Sequence, residues 1–166
     1  MNDIEPRTAL ITGASRGLGL ALARRLAEDG WRLIVDARGE EDLKAAVRAE
    51  LAELTEVVAI PGDVADEEHR RALAAAAREA GGLDALVNNA SVLGPSPQPY
   101  LLDYPLDELE RVYRANVLAP LALAQAVRDE LKSGARIVNV TSDAAIEPYE
   151  GWGGYGSSKA ALAQLS

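Results

Sequence analysis

The chain contains no cysteine and only one histidine, His69. Without cysteine it can form no disulfide, no thiolate nucleophile and no cysteine-ligated metal site. A single histidine argues against a histidine-ligated metal centre as well, and the charged residues around His69 predict a solvated position on a helix. We therefore expect a protein that works without a metal ion.

Positive charge and long apolar runs are also scarce. The 26 acidic residues outnumber the 17 basic ones and give a net charge of −9, which argues against a broad basic face for nucleic acid. No apolar run approaches the roughly 20 residues that a membrane helix needs. The N-terminus lacks the basic and apolar regions of a signal peptide. We therefore expect a cytoplasmic protein that binds neither nucleic acid nor a membrane.

The remaining composition is that of an ordinary globular protein. Hydrophobic residues make up 48% and charged residues 26% of the 166 positions, which is enough for a sizeable core. There is no internal repeat and no low-complexity linker. The sequence therefore predicts a single domain over residues 1–166.

Short apolar runs alternate with longer helical patterns, which is typical of a parallel sheet with helical crossovers. The runs do not alternate in polarity, as expected of strands covered on both faces. The predicted strands are Ala9 to Thr12, Arg32 to Ala37, Val57 to Ile60, Ala85 to Asn88 and Arg136 to Thr141. The predicted helices are Gly17 to Asp29, Glu40 to Leu54, Asp66 to Ala80 and Leu106 to Leu131.

Proline and glycine mark where these helices are interrupted or end. Pro120 is expected to bend or interrupt the last helix, because it has no N–H to donate and its ring clashes with the preceding turn. Gly30, the pair Gly81-Gly82 and Gly134 are expected to end helices in a left-handed conformation. The whole pattern predicts an α/β fold with a doubly wound parallel sheet and helices on both faces.

A glycine-rich turn, Thr12-Gly13-Ala14-Ser15-Arg16-Gly17-Leu18-Gly19, follows the first predicted strand directly. A strand that ends at a helix N-terminus presents free N–H groups and the positive end of the helix dipole, which suits a pyrophosphate. Glycine at positions 13, 17 and 19 allows a tight turn and a close approach to the phosphates. Taken alone, the turn is also compatible with a plain tight connection.

A second group of residues near the end of the chain can move a proton. Tyr155 and Lys159 are four apart, so they share one face of a helix. A neighbouring ammonium favours the phenolate and lowers the pKa of tyrosine from about 10, which makes proton transfer effective near neutral pH. Ser142 ends the fifth predicted strand, where ligands bind in such folds. A register error of one residue would put Thr141 in its place.

The glycine-rich turn and the Ser142, Tyr155 and Lys159 spacing together resemble the short-chain dehydrogenase/reductase family of the ordinary, non-extended type. The resemblance covers residues 7 to 166. It implies a Rossmann-like fold and hydride transfer between a nicotinamide and a carbonyl or secondary alcohol carbon. Tyr155 would be the acid or base, Ser142 would hold the substrate oxygen, and Lys159 would lower the pKa of Tyr155 and bind the nicotinamide ribose. Asn116 matches the family's fourth catalytic residue and would anchor a water that relays protons.

The resemblance also implies a set of cofactor-binding residues. Asp63-Val64 looks like the family's adenine-contacting pair, and Asn89-Ala90 lies where the family usually reads Asn-Asn-Ala-Gly, with Ser91 here in place of the last glycine. The implied set is Gly13, Ser15, Arg16, Gly17, Leu18, Gly19, Arg38, Asp63, Val64, Asn89, Ala90, Tyr155 and Lys159.

The end of the second strand predicts which nicotinamide is bound. An acidic residue there would bind the ribose hydroxyls and repel a 2′-phosphate, but in the family's register that position is Ala37. Arg38 follows it and Arg16 lies in the glycine-rich turn, and two guanidinium groups favour a 2′-phosphate. Asp36 should point away from the ribose by strand alternation, although a slip of one residue would reverse this. We therefore expect NADP(H) rather than NAD(H).

The chain ends at Ser166, inside the predicted helix that carries Lys159. Members of the resembled family continue with two more strands and a segment that covers the substrate, so we expect a truncated or partly ordered form of a longer protein, with an exposed fifth strand. A complete chain would pair as a homodimer or homotetramer. The alternative is a catalytically incompetent dinucleotide-binding module that acts through a partner. A dehydratase or epimerase with a bound nicotinamide is disfavoured by the glycine spacing.

Overall fold

A five-stranded parallel sheet organises residues 6–166, which is the part of the chain that the computed structural model describes. The strands stand in the order β3-β2-β1-β4-β5. They are β1 (Thr8–Ile11), β2 (Arg32–Ala37), β3 (Val57–Pro61), β4 (Leu83–Asn88) and β5 (Leu131–Asn139). The order reverses between β1 and β4, and in open α/β sheets ligands bind at the carboxyl ends of the strands at such a point.

Within residues 6–166, six α-helices connect and follow the strands. They are α1 (Gly17–Glu28), α2 (Glu40–Ala46), α3 (Glu67–Glu79), α4 (Leu106–Tyr113), α5 (Ala119–Ala126) and α6 (Gly153–Gln164). Two π-helical segments, Val47–Leu51 and Arg114–Leu118, extend α2 and join α4 to α5. Short 3-10 turns cover Leu101–Asp103, Arg128–Glu130 and Asp143–Ala145.

The sheet carries one apolar core on each face. On one face, Ile11 and Val35 pack with Ala23 of α1 and Leu43 of α2. On the other face, Leu10, Ile34 and Leu86 pack with Leu73 of α3 and Leu123 of α5. Because successive side chains of a strand point to opposite faces, strands covered on both sides must be apolar throughout. This confirms the predicted doubly wound α/β fold.

The predicted strand Arg136 to Thr141 is wrong at both ends. The strand β5 begins at Leu131, and Gly134, which was expected to end a helix, lies inside it with φ +82°. The register between β4 and β5 shifts between Leu83 and Ala85, so Gly134 lies in an irregular part of the ladder, where its left-handed conformation is tolerated.

The predicted helix Leu106 to Leu131 is also divided. It becomes α4, the π-helical segment Arg114–Leu118, α5 and a 3-10 turn. At the end of the π-helical segment, the Ala119 N–H donates to Arg114 O, five residues earlier. Pro120 has no N–H to donate to the carbonyl of Asn116, four residues earlier, and its ring crowds that carbonyl. The expected interruption is therefore confirmed, and it falls on the turn that contains Asn116.

The β5 strand forms one edge of the sheet in the described part of the chain. Ile137 and Val138 are 45% and 46% exposed, which is unusual for the apolar residues of a parallel strand. Within residues 6–166, no helix is both long and apolar enough to cross a membrane. The same residues contain no group of three or more His, Cys, Asp or Glu side chains that could hold a metal ion.

Candidate dinucleotide and active site

A cleft of about 710 Å³ lies at the carboxyl edge of the sheet where the strand order reverses. Its lining includes nine of the thirteen predicted cofactor-binding residues. They are Gly13, Ser15, Arg16, Gly17, Arg38, Asp63, Val64, Asn89 and Ala90. The other four lie outside this lining: Leu18 is 62% exposed, Gly19 is buried in the first turn of α1, and Tyr155 and Lys159 lie on α6.

The glycine-rich turn has the shape that a phosphate needs. Gly13 and Gly17 have φ values of +69° and +58°, in the left-handed region that favours glycine. A Cβ on Gly13 would lie 2.9 Å from Ala90 Cα, so the turn touches the end of β4. No side chain caps the first turn of α1 and no acidic residue lies in it, so its N–H groups are available to an anion. These residues fit a dinucleotide pyrophosphate.

Thr12 and Asn89 tie the turn to the end of β4. Thr12 Oγ1 accepts hydrogen bonds from the Asn89 and Ala90 N–H groups, each at 3.0 Å. Asn89 Nδ2 donates to Thr12 O at 2.9 Å and to Gly13 O at 3.1 Å. These bonds hold both sides of the cleft in one arrangement, although Ser91 replaces the glycine expected after Ala90.

Asp63 and Val64 follow β3 at the rim of the cleft. Asp63 Oδ1 accepts from the Ala65 N–H at 2.9 Å, which forms a local turn, while Val64 is buried. Asp63 therefore lines the cleft and also shapes the local turn at its rim.

Arg16 and Arg38 are both exposed and line the cleft from the ends of β1 and β2. Neither forms a salt bridge with residues 6–166. Asp36 is 1% exposed, and both of its carboxylate oxygens have partners inside the fold. Asp36 also lines the cleft, with one carboxylate oxygen bound to the Gly13 N–H and the other 2.9 Å from His69 Nε2.

The predicted solvated position of His69 is wrong. His69 is 8% exposed, and its Nε2 lies 2.9 Å from Asp36 Oδ2. Its neighbours on α3 are charged, but Gly62 has no Cβ and leaves room for the imidazole beneath the cleft: a Cβ there would lie 2.6 Å from His69 Cγ. The sequence offers one hint of this contact: Asp36 is an acidic residue in an otherwise apolar stretch of the predicted strand, and a buried carboxylate needs a partner.

Lys159 is 2% exposed and lies within the fold on α6. Its Nζ donates to Val140 O at 2.8 Å and lies 5.7 Å from the centroid of the Tyr155 ring. Burial lowers the pKa of Lys159 to about 8, because removal of water disfavours the charged ammonium. The structure therefore places a cation near the tyrosine that the spacing selected.

Tyr155 ends a row of aromatic side chains. Trp152 makes edge-to-face contacts with Tyr155, at 5.9 Å between centroids, and with Tyr149, at 6.2 Å. Such contacts orient the rings and contribute about 1 kcal/mol each. Tyr149 and Trp152 thus pack around the candidate catalytic tyrosine.

Ser142 begins a 3-10 turn that packs against α6. Its Oγ donates to Asp143 Oδ1 at 2.9 Å and accepts from the Ala144 N–H at 3.2 Å. Tyr149 Oη donates to the other oxygen of Asp143 at 3.1 Å. These hydrogen bonds lower the pKa of Asp143, that from Ser142 most of all. The carboxylate of Asp143 is a partner of Ser142 that the sequence analysis missed.

Asn116 is fully buried and connects three elements. Its Oδ1 accepts from the Val92 N–H at 2.8 Å, and its Nδ2 donates to Val92 O at 2.9 Å and to Ser158 Oγ at 3.0 Å. Ser158 in turn donates to Tyr155 O at 2.7 Å. Asn116 therefore joins the loop after β4 to the helix that carries Tyr155 and Lys159.

The parallel sheet with helices on both faces is an α/β fold of the Rossmann type, and comparison with known families gives the class of the protein. The family model described as short chain dehydrogenase matches residues 7–166. The chain therefore belongs to the short-chain dehydrogenase/reductase family.

Curated relatives agree with this membership. Dehydrogenase/reductase SDR family member 4 of Bos taurus is 35% identical over 173 residues, which cover 99% of this chain and 60% of the relative. The 2-(R)-hydroxypropyl-CoM dehydrogenase of Xanthobacter autotrophicus is 34% identical, and the match covers 96% of this chain and 66% of that enzyme. The chain thus spans about 60% of the length of the first of these relatives.

Solved structures share the fold. NAD+-bound xylitol dehydrogenase superposes with a TM-score of 0.88 at 31% identity, over 96% of this chain and 62% of the other. A short chain dehydrogenase from Burkholderia cenocepacia J2315 in complex with NADP gives 0.87 at 36% identity, over 96% and 65%. These neighbours bind NAD+ in one case and NADP in the other.

Proposed function

We propose that the protein is an NADP(H)-dependent oxidoreductase that interconverts a carbonyl compound and a secondary alcohol. The observation that carries this proposal is the buried Lys159 ammonium beside the Tyr155 ring, on a helix packed against the turn that Ser142 begins. The nicotinamide, when bound, supplies or accepts the hydride. Gly13, Gly17 and the first turn of α1 would hold its pyrophosphate.

Tyr155 would move the proton of the substrate oxygen. The Lys159 ammonium, whose Nζ lies 5.7 Å from the centroid of the Tyr155 ring, would stabilise negative charge that develops on the tyrosine oxygen during proton transfer. Ser142 would hold the same oxygen with its hydroxyl. Because that hydroxyl donates to Asp143 Oδ1 at 2.9 Å, it must turn from Asp143 to the substrate when the substrate enters.

Asn116 would act through its backbone. Its side chain is occupied by Val92 and Ser158. Its carbonyl has no α-helical donor, because Pro120 lacks an N–H. We propose that this carbonyl anchors a water that relays protons to Lys159.

The preference for NADP(H) rests on charge. Arg16 and Arg38 are exposed at the cleft, and Ala37 stands where an acidic residue would repel a 2′-phosphate. Guanidinium groups bind phosphate in a bidentate way, so two of them favour NADP(H). The Burkholderia neighbour in complex with NADP is consistent with this preference.

We also propose a small carbonyl or alcohol as substrate and a homodimer or homotetramer as the assembly. Leu106 of α4, Leu118 and Leu121 are 79%, 58% and 41% exposed. Exposed apolar side chains of this size suit contact with a second copy. Size-exclusion chromatography with light scattering tests the assembly.

The proposed activity is tested with NADPH and a panel of ketones that includes cyclohexanone, acetophenone and dihydroxyacetone. We expect NADPH consumption that Tyr155→Phe abolishes while NADPH binding remains. The matched control is Tyr100→Phe, which removes a hydroxyl from a tyrosine that is 61% exposed and should leave turnover unchanged. Binding without turnover in the unmodified protein would instead favour a dinucleotide-binding module.

A further inference from the structure

A buried carboxylate and imidazole lie directly beneath the glycine-rich turn. Asp36 is the penultimate residue of β2 and is 1% exposed, and His69 lies in α3 and is 8% exposed. Asp36 Oδ1 accepts from the Gly13 N–H at 2.8 Å, and Asp36 Oδ2 lies 2.9 Å from His69 Nε2. Acidic residues are almost never fully buried unless they are paired, so this arrangement needs an explanation.

The pair holds the first glycine of the turn from below. Gly13 adopts φ +69°, and the side chain and backbone of Asp36 bind two successive residues of the turn. The carboxylate accepts from the Gly13 N–H, and Asp36 O accepts from the Ala14 N–H at 2.8 Å. The hydrogen bond from the Ala14 N–H to the carbonyl oxygen of residue 36 could form with any residue there. The hydrogen bond from the Gly13 N–H requires a side chain that can accept it.

His69 is held in place for its role. A Cβ on Gly62 would lie 2.6 Å from His69 Cγ and 2.7 Å from its Cε1, so the imidazole packs against the Gly62 backbone. Nε2 is then directed at the carboxylate. Through the side chains of His69 and Asp36, helix α3 and the end of β3 are linked to the turn after β1.

We propose that Asp36 and His69 form a positioning pair that fixes Gly13 for the phosphates of the dinucleotide: the Asp36 carboxylate holds the Gly13 N–H, and His69 holds that carboxylate in place. This inference rests on the proposed dinucleotide binding and adds two residues that act through Gly13.

Burial and the neighbouring groups act on the Asp36 carboxyl in opposite directions. Burial raises the pKa of the Asp36 carboxyl; the hydrogen bonds from His69 and Gly13 oppose this rise, and the charge of Asp63 adds to it. The two hydrogen bonds therefore offset part of the cost of burying the carboxylate.

The test measures the dissociation constant of NADPH by fluorescence at neutral pH in four variants. Asp36→Ala removes the acceptor of a buried N–H and is expected to weaken binding about tenfold. Asp36→Asn keeps an acceptor for Gly13 and should restore most of the affinity. His69→Gln keeps a donor for Asp36 but loses the packing of the ring against Gly62, so it should weaken binding less than Asp36→Ala does. Glu68→Gln, on an exposed neighbour of His69, removes a charge outside the cleft and should change nothing.

Steady-state kinetics and the Asp36→Asn variant separate positioning from general stability. In steady-state assays, KM for NADPH should rise in Asp36→Ala while kcat at saturating NADPH stays within about twofold.

Each outcome has a defined meaning. Thermal melts of all variants without NADPH show whether each folds, and Asp36→Asn and His69→Gln serve if Asp36→Ala does not. Equal NADPH affinities and equal KM values in the unmodified protein, Asp36→Ala and His69→Gln would overturn the positioning pair while leaving the proposed function intact. Absence of NADPH and NADH binding by the unmodified protein would overturn both.

Discussion

Replacement of Lys159 by methionine is expected to stabilise the folded protein at neutral pH while it abolishes turnover. Lys159 is 2% exposed, and burial lowers its pKa from 10.5 to about 8. This difference in pKa means that the charged ammonium destabilises the folded protein, relative to the unfolded chain, by roughly 3 kcal/mol. Methionine has a similar length and no charge, so it removes this cost.

The expected gain is smaller than the full cost of the buried charge. The substitution also removes the hydrogen bond from Nζ to Val140 O at 2.8 Å, which offsets about 1 kcal/mol. The net gain of about 2 kcal/mol should raise Tm by about 4–8 °C in a protein of this size.

The sign of the pH dependence follows from the lowered pKa. Between about 8 and 10.5 the unfolded chain binds more protons at this residue than the folded protein does, so the stability of the unmodified protein rises with pH there. The advantage of Lys159→Met should therefore be largest below pH 8 and close towards pH 10.5. Calorimetry or urea denaturation at several pH values measures this difference.

The matched control for this prediction is Lys132→Met. Lys132 is partly exposed and pairs with Asp84 at 3.1 Å, so its replacement should lower stability slightly and leave turnover unchanged. A Lys159→Met protein that is less stable than the unmodified one at pH 7, or a stability difference that does not vary with pH, would refute the reasoning about the buried ammonium.

Three further predictions concern Asn116, which joins the loop after β4 to α6, and two residues of the cofactor cleft. Asn116→Ala removes three hydrogen bonds of 2.8–3.0 Å and should cost about 2–4 kcal/mol of stability in urea denaturation; a loss below about 0.5 kcal/mol would contradict its bracing role. Arg38→Ala should weaken NADPH binding about tenfold or more and NADH binding little, and equal losses for both would argue against recognition of the 2′-phosphate. Gly13→Ala should abolish NADPH binding in titrations, because its Cβ would lie 2.9 Å from Ala90 Cα, whereas Gly30→Ala, with φ +79° and nothing within 4 Å, should lower only Tm; equal effects would show that backbone strain alone matters.

Most of the fold was accessible to sequence reasoning because it depends on local patterns. Continuous apolar strands such as Leu33 to Val35 can be buried on both faces only in a covered parallel sheet. The interruption near Pro120 follows from covalent chemistry alone. The start of β5 was missed because Lys132, Ser133 and Gly134 have no strand pattern: the strand begins at Leu131 only because Leu131 pairs with Leu83, across a register shift from the next pair, Ala85 and Arg136.

The residues of the candidate site also fall into those that the sequence could predict and those that it could not. Residues whose roles depend on backbone shape or helix spacing, such as Gly13, Tyr155 and Lys159, could be selected from their positions in the chain. The partners of Asp36 and Ser142 could not. His69 lies 33 residues from Asp36, and its burial is a tertiary effect that its charged neighbours on α3 conceal.

The most direct test of the proposed function is the transfer of deuterium from NADPH, labelled at its transferable position, to a ketone of the panel. We predict deuterium on the carbinol carbon of the alcohol product, with no transfer by Tyr155→Phe even though that variant binds NADPH. A protein that binds NADPH tightly but transfers no deuterium to any ketone, or a Tyr155→Phe variant that transfers it at the unmodified rate, would contradict the account.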